Sequence, residues 1–137
     1  MENFYTISKK IDSAKFFKFM GVYFKDATTL FIEGNSIAEE VLKNYKANLQ
    51  EGEYLPSIGT IFPKSQKFRC SYSSEFMNQL SSIAEHQAEP ELLDHFHLYK
   101  RDEPIIVWKD AFFDTMYISK KIPQEIVNKF LSEIKAD

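Results

Sequence analysis

Near the end of the chain three short runs of strand-forming residues follow one another, at about 95–100, 105–111 and 115–119. Runs so closely spaced read as a meander, and a meander favours an antiparallel sheet. Behind them comes the clearest helical stripe in the sequence: Ile126, Val127, Phe130, Leu131 and Ile134. Pro123 suits the first position of that helix, because its missing N–H would have no partner there anyway. An antiparallel sheet needs cover for its apolar face, and the rest of the chain supplies helices for it.

The stretch DSAKFFKFMGVYFKD places Phe16, Phe17, Met20, Tyr23 and Phe24 on one helical stripe, with Asp12 or Ser13 as the cap. Gly21 counts against this helix, since glycine costs about 1 kcal/mol relative to alanine inside one. ATTLFIEG is a near-continuous apolar and β-branched run, which predicts a fairly central strand buried on both faces. Ser36 stands three residues before Glu39, the spacing of a capping box, ahead of a stripe of Ile37, Ala38, Val41, Leu42 and Tyr45. KFRCSY alternates as a half-buried strand. SSEFMNQLSSIAEHQ then reads as a helix capped by Ser73 or Ser74, with Phe76, Met77, Leu80, Ile83 and Ala84 on one face. Two segments lack a regular pattern. Residues 1–10 read as a loose arm that Phe4 and Ile7 pin to the body. Residues 50–66, QEGEYLPSIGTIFPKSQ, read as a loop packed down by its own apolar side chains. The expected architecture is α+β: a single domain over residues 1–137, with about five mainly antiparallel strands and about four helices. Its helices lie on one face of the sheet, and a C-terminal β-meander is followed by the last helix.

Composition narrows the function classes. The chain is 44% hydrophobic and 15% aromatic, with 13 Phe and 7 Tyr, enough to fill a core with rings. Its net charge is −3 and its pI near 5.7, and its basic pairs Lys9-Lys10 and Lys120-Lys121 are too short to form a polybasic run. Nucleic acid is therefore not an expected partner. A lone cysteine, Cys70, allows no intramolecular disulfide, and MENFYTISKK lacks the pattern of a secretory signal. The longest apolar-rich stretch, AKFFKFMGVYF, is short and broken by lysines. The expectation is a cytoplasmic chain with no membrane contact.

The most informative segment is DHFHLYKRDEPIIVWKDAFFD, residues 94–114. A two-residue loop at Asp102-Glu103 and a four-residue loop at Arg101–Pro104 give the same register. Lys100 then faces Ile105, Leu98 faces Val107, His97 faces Trp108 and His95 faces Asp110. Phe96, Leu98, Ile105 and Val107 fall on a core face. His95, His97, Tyr99, Ile106, Trp108 and Asp110 share the other. A loop one residue different would undo this arrangement.

That second face carries the chemistry worth weighing. A carboxylate facing an imidazole can fix its tautomer, as a general base requires. His95 and His97, two apart on a strand, can reach one metal ion, with Asp110 or Asp94 adding an oxygen ligand. An H-x-H pair alone is a weak signal, and histidine and tryptophan also suit a half-wet sheet face with no further role. His86, near a helix end, reads as a surface or capping residue. Cys70 shares its side with Phe68 and Tyr72, as an inert core thiol does. No serine stands in a G-x-S-x-G setting. The four glycines, Gly21, Gly34, Gly52 and Gly59, are too scattered for a phosphate loop, so no cofactor is expected. Glu39-Glu40 and Asp102-Glu103 read as solvated charge, and Asp110 and Asp114 as turn residues. Two functions compete. One is a non-enzymatic interaction or regulatory module that meets a protein partner or a second copy through a surface containing Tyr99 and Trp108. The other is a small enzyme or metal-dependent hydrolase using His95, His97 and Asp110.

Overall fold

The computed structural model describes residues 3–50 and 66–136. Along the chain come β1 (Phe4–Ile7), α1 (Ser13–Tyr23), β2 (Thr29–Gly34), α2 (Glu39–Ala47), β3 (Gln66–Ser71) and α3 (Ser74–Ala84). The single turn α4 (Glu89–Leu92), β4 (His95–Lys100), β5 (Glu103–Trp108), β6 (Met116–Ser119) and α5 (Gln124–Ile134) follow. The strands form one six-stranded antiparallel sheet, in the order β1-β6-β5-β4-β2-β3. The fold is α+β, with the expected meander β4-β5-β6 inside the sheet and the expected helix after it. Among the described residues it has one strand and one helix more than the sequence pattern suggests: β1 and α4. The loop expected at 50–66 falls, apart from its two end residues, outside the described residues.

Two helices start as the sequence suggests. Asp12 accepts the Lys15 N–H at 2.9 Å, and Ser73 accepts that of Phe76 at 3.0 Å. Gly21 has a packing reason. A Cβ there would lie 3.3 Å from the Met77 Cβ and 3.4 Å from the Ser74 Cα, so glycine lets α1 and α3 approach closely. The Ser74 hydroxyl also donates to the Gly21 carbonyl at 2.9 Å. Two other starts differ. The capping box at Ser36 does not form, because α2 begins at Glu39, after an extended Ala38. Ala38 gives its N–H to the Glu91 carbonyl at 2.9 Å, which ties the start of α2 to α4. Pro123 precedes α5 instead of being its first residue, and its carbonyl accepts from Ile126 and Val127.

Directly paired residues point to the same side of a sheet, so the register sorts this one into two faces. One face holds a row of Phe68, Ile32, Phe96 and Trp108 beside a row of Cys70, Leu30, Leu98, Ile106, Ile118 and Tyr5. All of these except Tyr5 are buried. Phe16 of α1 meets Phe96 and Trp108 edge to face, with centroids 5.2 and 5.0 Å away. Tyr45 of α2 lies 5.6 Å from Phe68, and Phe130 of α5 lies 4.9 Å from Phe24. The helices thus cover this face, as expected.

Three local expectations are corrected. The described part of the expected loose arm is held to the sheet: β1 pairs with β6 from Phe4↔Ser119 to Ile7↔Met116. Four residues are too few to announce a strand by alternation, and the partner that stabilises it lies over a hundred positions away in sequence. β2 is not buried on both sides, for Leu30 and Ile32 face the core while Phe31 and Glu33 are half-buried on the other face.

The third correction is the hairpin register. Its turn is Arg101–Asp102, with Lys100 paired to Glu103 and Tyr99 to Pro104. Ile105 is then an extra residue, a β-bulge, after which Leu98 pairs with Ile106, His97 with Val107 and Phe96 with Trp108. Ile106 and Trp108, expected on the open face, are core residues, and Val107 takes the open side. Two physical causes act here. Pro104 has no N–H for the ladder and is tolerated inside sheets at bulges. Arg101 adopts φ 57°, the left-handed conformation that hairpin turns usually give to glycine or asparagine.

Candidate functional site

The second face of the sheet carries a row that crosses every strand: Thr6, Tyr117, Val107, His97, Phe31 and Arg69, each paired directly with the next. Lys67, Glu33 and His95 run along one side of it, and Ser71, Thr29 and Tyr99 along the other. The four central members are half-buried, and the rings of Phe31 and His97 lie 6.2 Å apart. Of the residues expected on this surface, His95, His97 and Tyr99 are there. Trp108 is not. It is 1% exposed, its ring lies 4.7 Å from Phe112, and its indole N–H donates to the Asp114 carbonyl at 2.9 Å. That bond satisfies the one polar atom the side chain brings into the core.

His95 and Asp110 do meet, but through other atoms than expected. The Asp110 backbone N–H, not its carboxylate, is the group on the imidazole, and it donates to Nδ1 at 3.1 Å. This bond needs a lone pair on Nδ1, so the neutral ring carries its proton on Nε2. Asp94 braces the same corner. Its carbonyl accepts the Ala111 N–H at 2.8 Å, and its carboxylate accepts the Asn35 N–H at 2.9 Å. His95 and Asp94 therefore tie the β5–β6 connection and the end of β2 to the start of β4.

Burial pushes the His97 pKa below its ordinary 6.5. His95 and Lys109 add to the shift and Glu33 opposes it, so the ring is neutral at pH 7. Among the described residues no three His, Cys, Asp or Glu side chains lie close enough to hold a metal ion, so His95, His97 and Asp110 do not converge on one point. Cys70 is buried, its thiol donates to the Tyr45 carbonyl at 3.5 Å, and burial pushes its pKa up to about 12. It stays a thiol, consistent with its core placement. His86 pairs with the Glu40 carboxylate at 2.9 Å on the surface.

Two residues that sequence reasoning missed stand out. Phe113 is 73% exposed, in a connection held at both ends by the bonds to His95, Asp94 and Trp108. Asp110 and Phe112 there take φ 50° and 73°, and Phe112 packs inward against Phe16, Phe17 and Trp108. A left-handed phenylalanine costs on the order of 1–3 kcal/mol and persists only where its surroundings hold it. The signal in the sequence was the Phe-Phe pair inside a turn, since two adjacent rings cannot both point inward there. The second is Arg101, whose N–H is accepted by the Thr28 hydroxyl at 2.7 Å. Its turn lacked the glycine or asparagine that would have announced it.

Comparison with known proteins adds no identity: no family model, no curated protein and no solved structure matches this chain. Among the described residues no helix is long and apolar enough to cross a membrane.

Proposed function

We propose that this chain is a non-enzymatic interaction module that meets a protein partner through the face of the sheet opposite its helices. One observation carries the reading: the Thr6-to-Arg69 row is a ladder of directly paired side chains, four of them half-buried and apolar or aromatic. Catalysis requires groups converging within about 3 Å of one reacting atom. A ladder spreads its side chains over a surface instead, and aromatic surfaces of this kind serve binding. The histidines support the same reading. His95 uses Nδ1 to hold a backbone, and His97 stands between Phe31 and Val107. The exposed Phe113, presented on a braced connection, offers a second contact at the end of the sheet where β4 begins.

The test compares immobilised wild type with a Val107→Asp, Tyr117→Asp double variant and with Lys129→Ala on α5, each checked for native melting. A protein retained by wild type and by Lys129→Ala, but lost from the double variant, is the expected result. Sedimentation equilibrium separates a second copy of the chain from a different partner. Equal retention by all three proteins would remove the face from the account. So would a turnover abolished by His97→Gln in a chain that retains no partner.

A further inference from the structure

We infer that the free edge of β1 takes an extended segment of a partner protein as a further strand of the sheet, and that this segment carries an acidic residue at each end. This rests on the reading of the chain as a binding module and adds a second surface to it. The Lys120 N–H donates to the Asn3 carbonyl at 2.9 Å, in line with the register between β1 and β6. Antiparallel pairs alternate between bonded and non-bonded, so Tyr5 and Ile7 also turn their N–H and C=O groups towards β6, while Phe4 and Thr6 turn theirs outward. Among the described residues no hydrogen bond reaches these outward groups. Unpaired backbone groups along an edge are a template for another strand. The opposite edge is covered: the Ser71 N–H donates to the Asn48 carbonyl at 2.8 Å, the Arg69 carbonyl accepts the Gln50 N–H at 3.0 Å, and Leu49 bridges Cys70. β1 has no proline, bulge or charge within it to turn a strand away, and Phe, Tyr, Thr and Ile all favour extended backbone.

Charge selects the occupant. The basic pairs Lys9-Lys10 and Lys120-Lys121 bracket this edge, one just beyond Ile7 and the other beginning beside Asn3. Lys121 is engaged by Glu103 at 2.8 Å, and Lys10 is close enough to Glu89 to favour its ionised form. Lys9 and Lys120 are exposed, and neither has a carboxylate within ion-pair distance. The Lys120 amino group stands over the Tyr5 ring instead, 5.9 Å from its centroid. Two copies of this chain meeting antiparallel at Thr6 would bring the Lys9 end of each strand to the Asn3 end of the other, where Lys120 stands. Like charges would then meet at both ends. A partner strand with acidic ends meets opposite charges there instead. A hollow of about 460 Å³ beside Phe4, Pro104 and Ser119 offers room for one of its side chains. Thr6 also begins the row that crosses the open face, so the added strand would extend that row.

The experiment follows backbone amide signals and their hydrogen exchange in the whole chain during titration with capped peptides. The probes are DVTVTVD, its lysine-ended counterpart KVTVTVK, and DVTVTVD with its inner residues N-methylated. DVTVTVD is expected to shift the Phe4 and Thr6 amides saturably and to slow their exchange. KVTVTVK is expected to bind about tenfold more weakly, and the N-methylated peptide to leave both amides unchanged. Thr6→Pro removes an N–H that β6 does not use, so it keeps the ladder and is expected to abolish binding. Lys120→Glu alters no backbone group and is expected to weaken DVTVTVD binding roughly three- to tenfold. Melting temperatures read on the same samples show that both variants fold. An equal response to the N-methylated peptide, undiminished binding in either folded variant, or tighter binding of KVTVTVK would each overturn the inference. So would self-association of wild type in sedimentation equilibrium that Thr6→Pro abolishes, since a second copy would then occupy the edge. Partner retention by the Val107 and Tyr117 face is measured separately. An edge that ignores DVTVTVD on a chain whose face still retains a partner defeats this inference alone.

Discussion

The two sides of the β4–β5 hairpin share a backbone and differ in almost everything else. On one side Phe96, Leu98, Ile106 and Trp108 are buried in the core, with Phe16 of α1 packed edge to face on Phe96 and Trp108. On the other, His97 and Val107 are half-buried in a row that no covalent or secondary-structure logic requires to be aromatic. The difference teaches where stability is placed and where recognition is proposed. Burial supplies roughly 25 cal/mol for each Å² of apolar surface removed from water, so the sealed side holds the fold together. The half-wet side contributes less per residue and is free to be chosen for what it contacts.

The sharpest way to break that comparison is to truncate one residue from each side. Trp108→Ala removes the largest fully buried side chain and its bond to Asp114, and is expected to cost about 3–5 kcal/mol. The midpoint of thermal unfolding should fall on the order of 10–20 °C. Tyr117→Ala, on the half-wet side, should cost only about 1 kcal/mol. Equal losses would mean that the two faces are packed alike.

A smaller effect tests the environment of His97. Its pKa is lowered by burial, so the unfolded chain binds a proton more readily than the folded one. The stability this adds is complete above the ordinary pKa of 6.5 and declines as pH falls below it towards the folded value. Thermal melts across that window should show a slope that His97→Gln reduces. A slope of opposite sign would place the ring in a more solvated or more acidic setting.

The smallest effect belongs to the turn. Arg101→Gly relieves a left-handed position, a gain of about 1–2 kcal/mol, offset by about 0.4–1 kcal/mol of extra freedom in the unfolded chain. A rise of a few degrees in melting temperature is expected. A fall would mean that the arginine side chain, not the backbone, holds the turn.

These same features mark the boundary of what the sequence discloses. The α1 and α5 stripes, the Asp12 and Ser73 caps and the β4-β5-β6 meander were legible because local periodicity and local hydrogen bonds decide them. The faces of β4 were legible for the same reason, since Phe96 and Leu98 alternate cleanly with His95 and His97. The faces of β5 were not. Its run of Ile105, Ile106, Val107 and Trp108 is apolar throughout, so only the turn and the bulge choose which residues turn inward. Both are set by residues that carry weak signals, a left-handed arginine and a proline inside a strand. β1 depends on a long-range partner, β6, that no local pattern reveals. The open face was legible through His95, His97 and Tyr99. Its membership was not, because Trp108 and Asp110 followed the register, and Arg101 and Phe113 sat in turns that looked like connectors.

Trp108 is the only tryptophan in the chain, so one optical measurement reads the register on which every later step depends. Acrylamide quenching of its fluorescence in the native protein is the most direct test. A residue 1% exposed beneath Phe16 and Phe112 should emit at short wavelength and resist the quencher until the protein unfolds. Ready quenching of a red-shifted native signal would place Trp108 on the open face beside His97. The row from Thr6 to Arg69 would then not exist as described.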